Sequence, residues 1–314
     1  ELLMSEHCGD CIAPCQLACP AHIDIQGFIA FIDRGEYEKA AELIKEKMPL
    51  PSICGRVCPR FCEQECRRNM VDDPVNICDL KRFAGDFHLE AISSYVPQKK
   101  PDTGKEVAVV GGGPAGLTAA YYLALEGHRV TLFDRGPKLG GMLRYGIPEY
   151  RLPKALLDRE VDLIAGLCKE VRLGQILGRD FTLEDLRKSY DAVFLGLGCQ
   201  SAQGMGLERE DMPGVFRGIE FLRSVIEGNP PKLGSRVAVV GGGNTAMDAA
   251  RTALRLGAEE VYVIYRRSRN EMPANPIEIQ EAEEEGVQFK FLTNPVSILG
   301  EECVTGIECV RMEL

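Results

Sequence analysis

The chain has 314 residues, enough for two or three domains with cores of their own. Its hydrophobic content is 45%, Trp is absent, and a net charge of −10 argues against partners such as nucleic acid or an anionic membrane, which need a basic surface. No run of about 18 apolar residues is present, so no membrane span is expected. The stretch from Glu1 to Cys8 lacks a basic region followed by an apolar one, so no signal peptide is expected either. A start at Glu1 rather than Met reads as an internal segment of something longer.

Residues 1–100 are Cys-rich and helical in pattern. Helices are expected over Ile25–Ile32 and Glu36–Lys47, the second from the stripe Tyr37, Ala40, Ala41 and Ile44. Of 13 cysteines, nine fall in the first 78 positions, in two groups: Cys8, Cys11, Cys15 and Cys19-Pro20, then Cys54, Cys58-Pro59, Cys62 and Cys66, with Cys78 beyond. Disulfide frameworks belong to short secreted domains, whereas this block precedes nucleotide-binding units of intracellular type, so metal binding in a cytoplasmic protein is expected. Zinc favours paired Cys-x-x-Cys units about fifteen residues apart. One Cys-x-x-Cys occurs here, and prolines directly follow cysteines, which points to ferredoxin-like iron–sulfur binding. His7 and His22 flank the cysteines and are read as surface or core residues, while Cys168, Cys199, Cys303 and Cys309 are scattered and read as small apolar side chains. The polar stretch 97–104, with two prolines, is expected to be a linker.

Residues 101–230 open with a strand, Lys105–Val110, then a glycine turn, a helix over Pro114–Glu126 and a strand over Arg129–Phe133. Residues 231–314 repeat the pattern: strand Arg236–Val240, turn Gly241–Gly243, helix Thr245–Leu256, strand Glu260–Tyr265. Val-Ala-Val-Val-Gly-Gly-Gly occurs at both 107–113 and 237–243. In the first unit Gly111, Gly113, Pro114, Ala115 and Gly116 form the dinucleotide fingerprint, and Asp134, 18 residues beyond Gly116, is placed to bond a ribose. In the second, Gly241, Gly243, Asn244, Thr245 and Ala246 form the turn, and Arg266 and Arg267 stand where an acid would select NAD. Arginines there supply charge and planar donors for the 2′-phosphate of NADP. The two sites in tandem suggest FAD in the first and NADPH in the second. No acid–base dyad stands out, and the isolated Cys199 argues against a disulfide-reductase mechanism.

Six further stretches carry a family resemblance: Cys19–Ile25 (Cys-Pro-Ala-His-Ile-Asp-Ile), Cys54–Pro59, Val109–Leu117, Gly140–Pro148 (Gly-Gly-Met-Leu-Arg-Tyr-Gly-Ile-Pro), Gly241–Asp248 and Arg269–Ala274. They span essentially the whole chain, which resembles the small (beta) subunit family of NADPH-dependent glutamate synthase. That family includes the N-terminal part of dihydropyrimidine dehydrogenase and the large subunit of NADH-dependent ferredoxin:NADP oxidoreductase. The resemblance implies an α/β fold: a helical domain with two [4Fe–4S] clusters, then two Rossmann-like domains of disulfide-reductase type, truncated C-terminally before the Gly-Asp segment that completes the FAD site. It implies Cys8, Cys11, Cys15 and Cys66 on one cluster and Cys19, Cys58 and Cys62 on the other. The usual fourth ligand, Gln or Glu, aligns with Lys81, which cannot ligate iron; Cys78, one helical turn back, is the expected substitute, with Cys54 or water as alternatives. Gly141, Leu143, Ile147 and Gly198 are implied along the flavin. The implied function is electron transfer between NADPH, FAD and the clusters, to an acceptor subunit or fused domain. That acceptor is a glutamate synthase large subunit, or else ferredoxin, a hydrogenase-like or a molybdenum enzyme. The competing reading is a non-catalytic scaffold with degenerate sites.

Overall fold

A computed structural model describes residues 12–91, 97–199 and 201–313. In chain order the helices α1 (Pro14–Ala18), α2 (Ile25–Asp33), α3 (Tyr37–Lys45), α4 (Pro51–Val57), α5 (Phe61–Gln64) and α6 (Ile77–Glu90) come first. They are followed by β1 (Glu106–Val110), α7 (Pro114–Leu125), β2 (Arg129–Phe133), α8 (Met142–Tyr145), α9 (Lys154–Ala165), β3 (Glu170–Arg172), α10 (Leu183–Ser189) and β4 (Ala192–Leu195). The remainder comprises α11 (Gly218–Ile226), β5 (Arg236–Val240), α12 (Asn244–Arg255), β6 (Glu260–Ile264), α13 (Pro276–Glu284), β7 (Gln288–Lys290), β8 (Thr293–Gly300) and β9 (Val304–Arg311). Among the described residues no helix is long and apolar enough to cross a membrane.

The chain divides into two compact units, residues 1–140 with 151–197 and residues 141–150 with 198–314. In the first, strands in the order β3-β2-β1-β4 form a parallel sheet, with Val107 opposite both Val130 and Ala192. Val107, Val109 and Val110 are buried, as the near-continuous apolar run of a parallel strand requires. In the second, β5-β6-β7 are parallel, and β8 pairs antiparallel with β9. Here Ala246, Met247, Ala249, Ala250 and Ala253 line the buried face of α12 and form one core with Phe221 and Leu222 of α11.

The helical block shares the first unit with the β1–β4 sheet. Its core is Ile23, Ile25, Phe28, Ala40, Ile44 and Ile77, and the side chains of Cys19 and Cys62 belong to it. The stretch 97–104 is irregular, as expected of a linker, yet it docks on the sheet unit. Lys100 and Thr103 donate backbone N–H groups to Leu125 O (2.8 Å) and Gly127 O (3.0 Å), and Asp102 pairs with Arg129 (2.6 Å). The Gly140–Pro148 stretch carries the helical turn α8.

Helices α4 and α6 cross with almost no space between them. A Cβ on Gly55 would lie 2.5 Å from Arg82 Cβ and 2.6 Å from its Cα, and one on Gly85 would lie 2.6 Å from Ser52 N. Arg56 spans the same crossing with a two-pronged ion pair to Asp86, both contacts 2.7 Å. Overpacking this crossing costs about 1–3 kcal/mol, more than the gain of up to about 1 kcal/mol from replacing a helical glycine. Gly55→Ala is therefore expected to lower Tm in a thermal melt. Gly243→Ala, whose Cβ would meet nothing within 4 Å, is expected to leave it in place.

Candidate functional site

The first glycine turn follows β1 and opens α7. Gly111 has φ +107°, and a Cβ there would lie 2.2 Å from Gly196 O; a Cβ on Gly116 would lie 1.7 Å from Gly111 O. Neither position admits a side chain, so the turn stays closed and the first peptides of α7 remain accessible beside exposed Pro114 and Ala115. Gly113 is the residue before the helix, in extended backbone (ψ −173°). Asp134, at the end of β2, accepts the N–H of Gly112 at 2.6 Å and of Gly136 at 2.6 Å. Its carboxylate thus pins the turn to the strand end and keeps further acceptor capacity for a ribose hydroxyl. This donor set and its missing side chains fit a dinucleotide pyrophosphate. Gly198 is exposed with φ +68° beyond β4, which runs parallel to β1.

The second unit builds its turn from the same seven residues, with different surroundings. Gly241 has φ +137°, Gly243 is extended before the helix, and exposed Asn244 and Thr245 start α12 above buried Ala246. Asn244 Oδ1 accepts the Asn275 N–H (2.8 Å). A Cβ on Gly242 would lie 2.6 Å from the Tyr265 ring, which packs under the turn and donates its hydroxyl to Glu271 O (2.7 Å). Beyond β6, Ser268 and Glu271 cap each other, with Glu271 accepting the Ser268 N–H at 2.9 Å, and Arg269 pairs with Glu283 (2.7 Å). That ordered corner holds Arg266 and Arg267 out in solvent. Gly141, Leu143 and Ile147 lie in this unit: Leu143 is buried, Gly141 and Ile147 are half-buried, and Gly141 has φ +51°. The segment is anchored by Tyr150, whose ring lies 4.8 Å from the Arg251 guanidinium and 4.1 Å from that of Arg255.

Cys8 and Cys11 lie outside the described residues. Cys15 on α1 and Cys66 after α5 are half-buried, and burial raises the Cys15 thiol, with the nearby Cys66 adding to the rise. A second group forms where α1, α4, α5 and α6 meet. Cys19 and Cys62 are buried in the helical core, Cys58 ends α4, and Cys78 (1% exposed) faces it from α6. The Cys78 thiol donates to the carbonyls of Gly55 (3.4 Å) and Cys54 (3.7 Å) on α4, and its proximity to Cys58 lowers the Cys58 thiol while raising its own. Cys54 is pushed up to about 12 by burial. Among the described residues no three His, Cys, Asp or Glu side chains are grouped as a single metal ion requires. A four-iron cluster spreads its thiolates over four irons, and this looser grouping of sulfur donors fits it.

Two partners of this group were not among the expected site residues. Glu63, directly after Cys62, accepts the Cys78 N–H at 2.7 Å and so ties α5 to α6. Lys81 is 3% exposed, one turn beyond Cys78. Burial opposes its charge, but the neighbouring Cys58, Cys78, Cys54 and Cys62 outweigh that and raise its pKa. His22 is exposed and bonds Gln16 O (3.2 Å), a turn contact in keeping with its surface reading.

Comparison with known proteins agrees with this geometry. Residues 3–92 match the family described as dihydropyrimidine dehydrogenase domain II, 4Fe-4S cluster, and residues 105–313 match pyridine nucleotide-disulphide oxidoreductase. The chain is 48% identical to the NADPH-Fe(3+) oxidoreductase subunit beta of Geobacter sulfurreducens over 96% of its own length and 46% of that protein's. It therefore spans about half the length of that relative. It is 38% identical to the glutamate synthase [NADPH] small chain of Escherichia coli, over 99% of this chain and 69% of that one. FprA from Mycobacterium tuberculosis shares the fold, with a TM-score of 0.60 at 20% identity over 68% of this chain and 64% of that one. The expected resemblance and fold class are thus borne out: the chain belongs to the pyridine nucleotide-disulphide oxidoreductase family, in the branch that carries a 4Fe–4S domain ahead of it and includes the glutamate synthase small chain.

Proposed function

We propose that this chain is the electron-input part of an NADPH-dependent iron–sulfur flavoprotein that serves an acceptor on a partner subunit or fused domain. One observation carries the reading: a chain with two dinucleotide turns of the same build also holds a buried group of cysteine thiols in the same compact unit as the first turn. When bound, a flavin, a nicotinamide and iron–sulfur clusters supply the conversion of a hydride into single electrons.

The roles of the residues follow from their positions. Gly111, Gly113, Pro114, Ala115 and Gly116 would hold the FAD pyrophosphate, and Asp134 its ribose. Gly141, Leu143, Ile147 and Gly198 would line the flavin. Gly241, Gly243, Asn244, Thr245 and Ala246 would hold the NADPH pyrophosphate, and Arg266 and Arg267 its 2′-phosphate. Cys8, Cys11, Cys15 and Cys66 would ligate one cluster, and Cys19, Cys58, Cys62 and Cys78 the other. Cys78 is given the fourth place because it is buried on α6 one turn before Lys81, with its thiol on the α4 carbonyl of Gly55 (3.4 Å) near Cys58. The domain division proposed from the sequence is a helical iron–sulfur domain over 1–100, an FAD-binding domain over 101–230 and an NADP(H)-binding domain over 231–314. The greater identity to the ferric-iron reductase subunit than to the glutamate synthase small chain favours an acceptor other than the glutamate synthase large subunit.

Anaerobic purification with iron, sulfide and flavin quantitation tests the reading; about eight irons are expected for two cubanes, with NADPH bleaching the visible spectrum. A colourless protein would support the scaffold alternative. Cys78→Ala is expected to change the EPR signal of one cluster and leave flavin content intact; an unchanged signal would remove Cys78 from the ligand set. Each charge-assisted phosphate bond contributes about 1.5–3 kcal/mol, so Arg266→Ala and Arg267→Ala should each raise KM for NADPH by roughly 10- to 100-fold. KM for NADH should stay where it is, and equal loss with both nucleotides would refute the 2′-phosphate role.

A further inference from the structure

The first unit holds a second set of buried titratable groups that the cofactor sites do not use. Glu160 on α9 is 2% exposed, Lys45 on α3 is 3% and His88 on α6 is 1%. The Glu160 carboxylate accepts the N–H groups of Ser52 and Ile53, both at 2.9 Å. Lys45 Nζ lies 2.7 Å from His88 Nε2 and is the cation that acts on Glu160. Asp86 also faces this region from α6, held by Ser52 Oγ and Arg56, with Arg82 beside it. These groups meet at the start of α4. Its other end, six residues on from Ser52 or about 9 Å at the helical rise, leads into Cys58.

We propose that Glu160, where it is ionised, takes up one proton from solvent for each electron delivered to the cluster on Cys19, Cys58, Cys62 and Cys78, so that the buried region then gains an electron without gaining net charge. The proposal rests on the reading that these cysteines carry a cluster. The electron comes from NADPH or an added one-electron reductant, and the proton goes to a Glu160 oxygen, with no other bond changed.

The electrostatics favour Glu160. Charge placed at one end of α4 is felt at the other because the space between is protein, not water. Burial raises the Glu160 carboxyl to about 7, although two N–H groups and Lys45 pull it down. It is therefore poised where added negative charge changes its protonation. The groups around it stay fixed near neutrality. His88 is lowered to about 4 by burial and by Lys45, and so remains neutral. Asp86 is lowered by its bonds to Arg56 and Ser52, which outweigh burial, and so remains ionised. The Cys54 thiol, pushed up to about 12 by burial, keeps its proton. Lys45, lowered to about 8 by burial, is the competing group.

The test is an EPR-monitored redox titration of the iron-loaded protein from pH 6 to 9, after iron and sulfide have been quantified. In the native protein the midpoint potential of this cluster should be level below pH 7 and fall above it. The limiting slope is tenfold in the equilibrium per pH unit, or 59 mV for one electron. Glu160→Gln should flatten the profile and leave the potential at pH 9 higher than native. If Glu160→Gln fails to accumulate, the infrared difference spectrum of the native protein on reduction decides, through a gained carboxylic-acid band that shifts in heavy water. A level native profile in iron-replete protein overturns the proposal alone, whereas absence of iron overturns the cofactor reading with it. A slope kept in Glu160→Gln and lost in Lys45→Met would assign the proton to Lys45 and also overturn it.

Discussion

The buried cysteines depend on how α4 is held. At seven residues it is too short to be stable by itself, and it has no side-chain cap of its own. Its first N–H groups are satisfied from 107 and 108 residues away by Glu160, and its flank is pressed against α6 where Gly55 and Gly85 omit their side chains. Arg56 and Asp86 lock the same crossing. Because Cys54 lies within α4 and Cys58 ends it, those contacts fix where the sulfurs meet Cys78 on α6. They also make the helical block and the β1–β4 sheet one compact unit, since Glu160 belongs to the helix that follows β2 and α8.

The two glycine turns show how one heptapeptide is turned to different uses by its neighbours. In the first, Asp134 takes the Gly112 N–H and leaves an anionic strand end suited to ribose hydroxyls. In the second, the aromatic ring of Tyr265 occupies the corresponding side of Gly242, and the strand continues into arginines that a serine–glutamate cap holds in place. An anionic end beside a 2′-phosphate would repel it, whereas two guanidinium groups in solvent attract it. In the proposed assignment backbone geometry would supply pyrophosphate binding in both units, and the residues at the strand end would discriminate between nucleotides.

Much of this was legible from residue order. The strands at 106–110, 129–133, 236–240 and 260–264, and the helices that follow the turns, fall within a residue or two of expectation because glycine, β-branched runs and helical stripes are local signals. The expectation at Cys78 comes from the resemblance that aligns a ligand with Lys81 one turn on, and the structure adds that Cys78 is buried on α6. Glu160 could not be found in that way. On α9 it reads as one more acid on an amphipathic helix, and its partners, Ser52 and Ile53, are contributed by backbone rather than by any side chain a pattern would show. Lys45 and His88 are hidden for the same reason: each sits in a charged or mixed helix, and only the packing of α3 on α6 brings them to 2.7 Å. The 97–104 segment has the composition of a free linker, yet its backbone donors find carbonyls on the sheet unit, a tertiary outcome that composition does not encode.

The proposed ligand set, with Cys78 in place of the Gln or Glu that the resemblance aligns with Lys81, would alter more than the ligand count. An all-thiolate set carries more negative charge than one with an amide, and in a low-dielectric interior that charge lowers the potential of whatever cluster it holds. Lys81 is buried beside the same sulfurs and supplies a compensating positive charge at short range, while Glu160 lies farther off at the opposite end of α4 with an ionisation that can change. A fixed cation near and a titratable acid far act on different quantities: the first sets where the potential lies, the second how it moves with pH. In the proposed ligand set the exchange of a ligand for a lysine would be matched by Cys78 in bonding and by Lys81 itself in charge, and both lie on the face of α6 that Gly55 and Gly85 allow to approach α4.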